Sequence, residues 1–146
     1  MSATTTSNPD PNNKPFGYTA IGVFLFFGAT MASYAAFTLA FPGTSLDRAW
    51  MLNPEAHEQL ATLGRVLAFP FLFLALALFL AGLGWFRRRR WGWALAVVII
   101  SINLLGDFFN ALRGEWLKGA TGVAIAGLLL IYMTRPGVRS YFNAVS

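Results

Sequence analysis

Four long apolar stretches, separated by one long loop and two short polar turns, organise the chain. The first runs from about Phe16 to Phe41, carries no charged side chain and ends at Pro42-Gly43, a pair that stops helices. The second runs from about Thr62 to Phe86 with Pro70 inside it, the third from about Trp91 to Leu112, and the fourth from about Gly119 to Thr134. A hydrocarbon layer of about 30 Å needs about 20 apolar residues in a helix, so each stretch is read as a membrane span. A helix also satisfies its own backbone polar groups where no water can. The predicted fold class is therefore all-α, a four-helix transmembrane bundle formed by spans 16–41, 62–86, 91–112 and 119–134.

The flanks differ in character. Residues 1–15 (MSATTTSNPDPNNKP) are small and polar, cannot bury apolar area, and are expected to be a disordered cytoplasmic tail before the membrane domain 16–146. Lys14 is the only basic residue there, so this is not the start of a signal peptide. Residues 42–61 form the one long loop. Within it Asn53-Pro54-Glu55 reads as N-cap, N1 and N2 of a short amphipathic helix, with Leu46, Trp50, Met51 and Leu52 suited to the membrane interface. The segment 135–146 after span four reads as a tail.

Charge sets the orientation. With four spans, one side receives Lys14, Arg87, Arg88, Arg89, Arg90, Arg135 and Arg139. The other receives Arg48, Arg65, Arg113 and Lys118, together with Asp47, Glu55, Glu58, Asp107 and Glu115. Basic residues concentrate on the cytoplasmic side, so N-in, C-in is expected. The Arg87–Arg90 turn is in addition a candidate site for anionic lipid headgroups. The net charge of +5 has this origin and is no sign of nucleic-acid binding. Trp50, Trp85, Trp91, Trp93 and Trp116 all fall near span ends and are read as interfacial belt residues.

Small residues mark places where helices can approach closely. Gly28, Ala32, Ala36 and Ala40 recur every four residues in span one, and Gly119, Gly122 and Ala126 give span four a small face. Against this apolar background one polar stripe stands out. Asn103, Asp107 and Asn110 follow at i, i+4 and i+7 in span three and so share one helical face. Asp107 lies 16 residues beyond Trp91, about 24 Å along the helix and hence in the outer third of the bilayer. A carboxylate there costs several kcal/mol against lipid, so the stripe is expected to turn inward, with Arg65 as ion-pair partner and Arg113 as a second candidate. Thr30, Ser33, Tyr34 and Thr38 of span one are candidate neighbours at similar depth.

Composition narrows the chemistry. Charged residues make up 12% of the chain, about half the share of an average soluble domain, while 56% are hydrophobic. With no cysteine and one histidine, a single chain offers no disulfide, thiolate metal site, iron–sulfur cluster or bis-histidine haem site. His57 between Glu55 and Glu58 could hold a divalent ion weakly, but it reads more naturally as part of a solvated helix face. No catalytic constellation, metal site or cofactor site is predicted. The motifs of small multidrug exporters and rhomboids are missing, and a disulfide-generating quinone enzyme would need cysteines. The expected function is an accessory, structural or assembly subunit of a membrane complex in a bacterial inner membrane. Its partners would be membrane lipids and other membrane subunits, or a second copy of itself. The alternative is an oligomeric transporter or binding protein for a small solute or lipid, working through the Asp107 cluster.

Overall fold

The computed structural model describes residues 13–45, 64–114 and 116–144, together with 48, 54 and 58. Among the described residues it is all-helical and holds no strand. Its helices are α1 (Tyr18–Ala40), α2 (Arg65–Phe86), α3 (Arg90–Leu112), α4 (Trp116–Met133) and α5 (Pro136–Asn143). Three of them, α1, α2 and α3, are long and apolar enough to cross a membrane. A fourth span results if α4 and α5, bent by 57° at the break between them, count together. Of the expected loop helix only Pro54 and Glu58 are described; both are helical and exposed, and the rest of that segment, His57 and Glu55 included, lies outside the described residues.

Two antiparallel hairpins build the molecule. In the first, α1 packs on α2 through reciprocal insertion of phenylalanines into glycines: Phe86 sits against Gly22, while Phe26 sits against Gly82. The rings of Phe26 and Phe86 lie 5.9 Å apart, nearly parallel. Further along, Gly28 meets Leu78, and Ala29, Ala32, Ala35 and Ala36 are buried. α2 is apolar on every side, so polarity cannot decide which face turns inward. Size decides it. Ala75, Leu78 and Ala81 are buried, whereas Phe69, Leu72, Phe73, Leu76 and Phe79 remain exposed. Small inward residues let the backbones approach, and bulky ones cover the outside.

In the second hairpin, α3 packs on α4. Gly119 lies against the backbone of Ala111, and Gly122 against the carboxylate of Asp107. The two hairpins join where α2 runs into α3. There Gly84 and Gly92 bring the two backbones into direct contact, and Trp91 closes over Gly84.

The turn between them is a Schellman motif. Arg88 N–H donates to Trp85 O at 3.0 Å and Arg89 N–H donates to Gly84 O at 2.9 Å. The left-handed position usually taken by glycine is occupied by Arg88, with φ 54°. That conformation costs a non-glycine residue about 1–2 kcal/mol. Contacts beyond the turn offset it. The Arg88 guanidinium lies 3.8 Å from the centre of the Tyr141 ring, and its Nη2 donates to Tyr141 O at 3.2 Å.

Tyr141 belongs to α5, a helix where a tail is expected. Val138, Tyr141 and Phe142 are buried, so α5 lays its apolar face over the end of the bundle that carries the arginine turn. Tyr18, Trp85, Tyr141 and Phe142 form one aromatic cluster there, with Trp85 and Phe142 rings 4.6 Å apart. Tyr18 and Trp85 are cross-bonded. The Tyr18 hydroxyl donates to Trp85 O at 2.7 Å, and the Trp85 indole donates to Tyr18 O at 2.8 Å. Trp85 is fully buried, which corrects its assignment to an interfacial belt. Trp93 also turns inward and donates to Met133 O at 3.0 Å, whereas Trp91 and Trp116 are exposed. Each tryptophan that leaves the surface finds an acceptor for its N–H, as burial requires.

Candidate functional site

The end of the molecule opposite the arginine turn is built differently. On α3 the buried residues Gly92, Ala96, Ile99 and Ile100 all lie in the half nearest the turn. Continued along the helix, the same face carries Asn103, Gly106 and Asp107. Asn103 and Gly106 are exposed and Asp107 is half-buried. A Cβ at Gly106 would meet nothing within 4 Å. The polar stripe therefore continues the core stripe of α3 beyond the point where the other hairpin covers it.

A crevice of about 320 Å³ runs beside it, lined by Phe24 of α1, Ile100, Asn103 and Asp107 of α3, and Gly122 and Ile125 of α4 among others. Its walls are apolar and its polar groups are the Asn103 amide and the Asp107 carboxylate. Gly122 is what makes room for that carboxylate, since a side chain there would collide with it. The site contains a hydrogen-bond donor and acceptor at Asn103 and an acceptor or anion at Asp107, placed within the apolar length of the candidate span Arg90–Phe109. Comparison with protein families, with curated proteins and with solved structures finds no match for this chain. The site must be interpreted from its own chemistry.

The other residues expected to join the cluster are placed as follows. Arg113 is exposed, just beyond the end of α3. The side chains of Arg65 and Asn110 lie outside the described residues, and with them the expected Asp107–Arg65 pair. Three of the span-one candidates bond their own helix: Thr30 donates to Phe26 O at 3.0 Å, Ser33 to Ala29 O at 2.8 Å, and Thr38 to Tyr34 O at 3.1 Å. Thr30 and Ser33 line a groove with α2 residues Leu72, Ala75, Leu76 and Phe79, and not the Asp107 crevice. Gly28, Ala32 and Ala36 lie on the α1–α2 side, while Gly122 and the buried Ala126 face the crevice. Among the described residues no group of three or more His, Asp or Glu side chains is placed to hold a metal ion.

The four arginines of the turn divide into two pairs. Arg88 turns inward to Tyr141, and Arg90 Nε donates to Asn143 Oδ1 at 3.0 Å, so both hold the C-terminal end of α5. Arg87 and Arg89 are exposed and make no such bond to α5 among the described residues; Arg90 is exposed as well but engages Asn143 through its Nε. Sequence reasoning grouped all four, because nothing in a run of like residues distinguishes their directions. The α5 signal was available: Val138, Tyr141 and Phe142 recur at i, i+3 and i+4, the spacing of one helical face.

Proposed function

We propose that the protein is a multi-pass subunit of a membrane assembly, with α1 to α4 as four spans, both termini on the cytoplasmic side, and the open face of α3 as its docking surface. The observation that carries this is the exposure of Asn103 beside a half-buried Asp107 inside an apolar span. Lipid offers an amide or a carboxylate no hydrogen bond, and polar groups at that depth turn to protein or water. A partner helix that brings donors to Asn103 and Asp107 satisfies them and covers the apolar walls around them. A second copy using the same face would bring two Asp107 carboxylates into one desolvated patch, because a two-fold contact pairs the patch with itself, and like charges gathered there disfavour it. The partner is therefore a different chain, with hydroxyl, amide or guanidinium donors on the docking helix. The concentration of Arg87–Arg90, Arg135 and Arg139 at one end supports the orientation, and a bacterial inner membrane is the setting we propose.

The test is native mass spectrometry of the tagged protein extracted gently from its own membrane. Wild type emerges with a stoichiometric foreign subunit. Asn103→Leu, which removes the exposed amide without entering the packed half of α3, weakens that association roughly tenfold, within the range of interhelical polar contacts. Emergence of wild type alone, or an association indifferent to Asn103, would rule the docking surface out.

The crevice favours a second reading, a binding site for a small amphiphile with a cationic head on Asp107 and an apolar body along Phe24 and Ile125. Under it, purified protein in detergent binds a fluorescent lipophilic cation, and Asp107→Asn lowers that binding at least tenfold while the thermal unfolding midpoint stays in place. Equal binding by the two proteins would dispose of it.

A further inference from the structure

The arginine end carries a second surface, independent of the docking face on α3. Arg87, Arg89, Arg135, Arg139 and Lys14 are all exposed. They share one end because the α2–α3 turn and the start of α1 lie there and α5, bent 57° from α4, crosses that end with its C-terminal end held by Arg88 and Arg90. The segments that build this end, 13–17, 84–93 and 133–144, contain no aspartate or glutamate. Surface arginines are commonly neutralised by neighbouring carboxylates; these segments supply none.

The position of the patch matters as much as its charge. It caps helices whose outer faces are Phe, Leu and Ile, so its guanidinium groups stand where a lipid-embedded bundle meets the headgroup layer. Trp91, half-exposed beside the turn, is a residue suited to that layer. Arginine presents a planar fork of donors that pairs with phosphate oxygens in bidentate fashion. Burying the apolar face of α5 against Tyr18 and Trp85 leaves its polar face, with Arg135 and Arg139, free to point away from the bundle.

We infer that this end binds the phosphate headgroup of an anionic phospholipid, with Arg87 and Arg89 of the turn and Arg139 of α5 as the ligating residues. Arg88 and Arg90 take no direct part and hold α5 in position. The arginine turn thus has two functions, divided residue by residue.

The experiment uses the full-length protein in detergent, titrated with phosphatidylglycerol or with phosphatidylcholine of the same acyl chains, with retained lipid counted by native mass spectrometry. Wild type retains the anionic lipid preferentially. At about 1 kcal/mol per basic residue, Arg87→Gln/Arg89→Gln lowers that preference roughly 30-fold. Arg87→Lys/Arg89→Lys recovers a large part of it, and raising the salt concentration reduces it in wild type. Arg139→Gln alone gives a partial loss of about fivefold, and provides a second variant should the double one fold poorly. Equal retention of the two lipids by wild type, or an unchanged preference in both Gln variants, overturns the proposal. So does displacement of the lipid by millimolar inorganic phosphate, which would make the patch a site for the free anion.

Discussion

Replacing Trp85 by alanine is expected to destabilise the protein by about 4 kcal/mol, the largest effect of any single truncation in the bundle. The indole is fully buried, and its removal leaves a cavity bounded by Tyr18 and Phe142. Phe or Trp to Ala changes in well-packed cores cost about 3–5 kcal/mol through lost transfer energy and residual cavity. The Tyr18 carbonyl also loses its 2.8 Å donor, about 1 kcal/mol or more for a buried acceptor. Trp85 links three chain segments: its indole bonds the first residue of α1, its ring packs on α5, and its carbonyl accepts both the Tyr18 hydroxyl and the Arg88 amide. Thermal unfolding in detergent should show a midpoint lowered on the order of 10 °C. Trp116→Ala provides the comparison, because that ring is 75% exposed, and its midpoint should move by no more than a degree or two. Equal shifts for the two variants would mean that Trp85 lies at an interface and that the aromatic cluster does not hold the bundle end together.

This contrast between two tryptophans also shows where sequence reasoning reaches its limit. Helices are legible because lipid demands long apolar runs: the four expected stretches begin and end within a few residues of α1 to α4, of which α1, α2 and α3 are long and apolar enough to cross a membrane, and a fourth results only if α4 and α5 count together. Faces are not legible in the same way. Around α2 every direction is apolar, so a hydropathy pattern cannot distinguish Ala75, Leu78 and Ala81, which are buried, from Phe69, Phe73 and Leu76, which are not. Side-chain size, which hydropathy does not measure, separates the alanines from the phenylalanines, and only the register of packing separates Leu78 from Leu76. Trp85 and Trp91 stand at comparable distances from the ends of their helices, and it is Tyr18 of α1 and the packing of α5 that make Trp85 internal. The packing of α5 is not read from the sequence because α5 has eight residues and begins at Pro136, a combination that reads as a tail unless the spacing of Val138, Tyr141 and Phe142 is weighed.

The candidate site was partly legible. The i, i+4 spacing fixes Asn103 and Asp107 to one face of α3 whatever the tertiary structure, and the structure sets both along the same crevice. What spacing could not supply is the neighbourhood. Thr30 and Ser33 of span one stand at similar depth by residue count but bond their own backbone and line a groove against α2. The role of Gly122 depends on the register between α3 and α4, which no single-helix pattern contains. The open face is a consequence of assembly as well: α3 is covered near the turn by the first hairpin and exposed beyond it, so a continuous stripe becomes core in one half and surface in the other.

Glycine supplies the sharpest test of how the hairpins join, because two kinds of glycine should respond with opposite signs. At Gly92 a Cβ would run into the backbone of Gly84 and Trp85, and at Gly84 it would meet the Gly92 Cα at 2.6 Å. Backbone cannot rotate aside as a flexible side chain can, so relief requires α2 and α3 to separate. Separation would disturb Trp91 over Gly84 and the adjoining Schellman turn. Gly92→Val is therefore expected to cost about 3 kcal/mol or more, at or beyond the upper end of ordinary overpacking. Gly106 and Gly127 are also helical, yet a Cβ at either meets nothing within 4 Å. Alanine at these positions removes the conformational freedom glycine gives the unfolded chain and should be neutral to stabilising, by up to about 1 kcal/mol. Detergent unfolding midpoints of the variants, measured side by side, decide the matter. A Gly92→Val protein as stable as wild type would mean that the two hairpins do not meet at Gly84 and Gly92. Destabilisation by Gly106→Ala would mean that a neighbour covers the outer half of α3 within this chain, removing the open face on which the proposed docking depends.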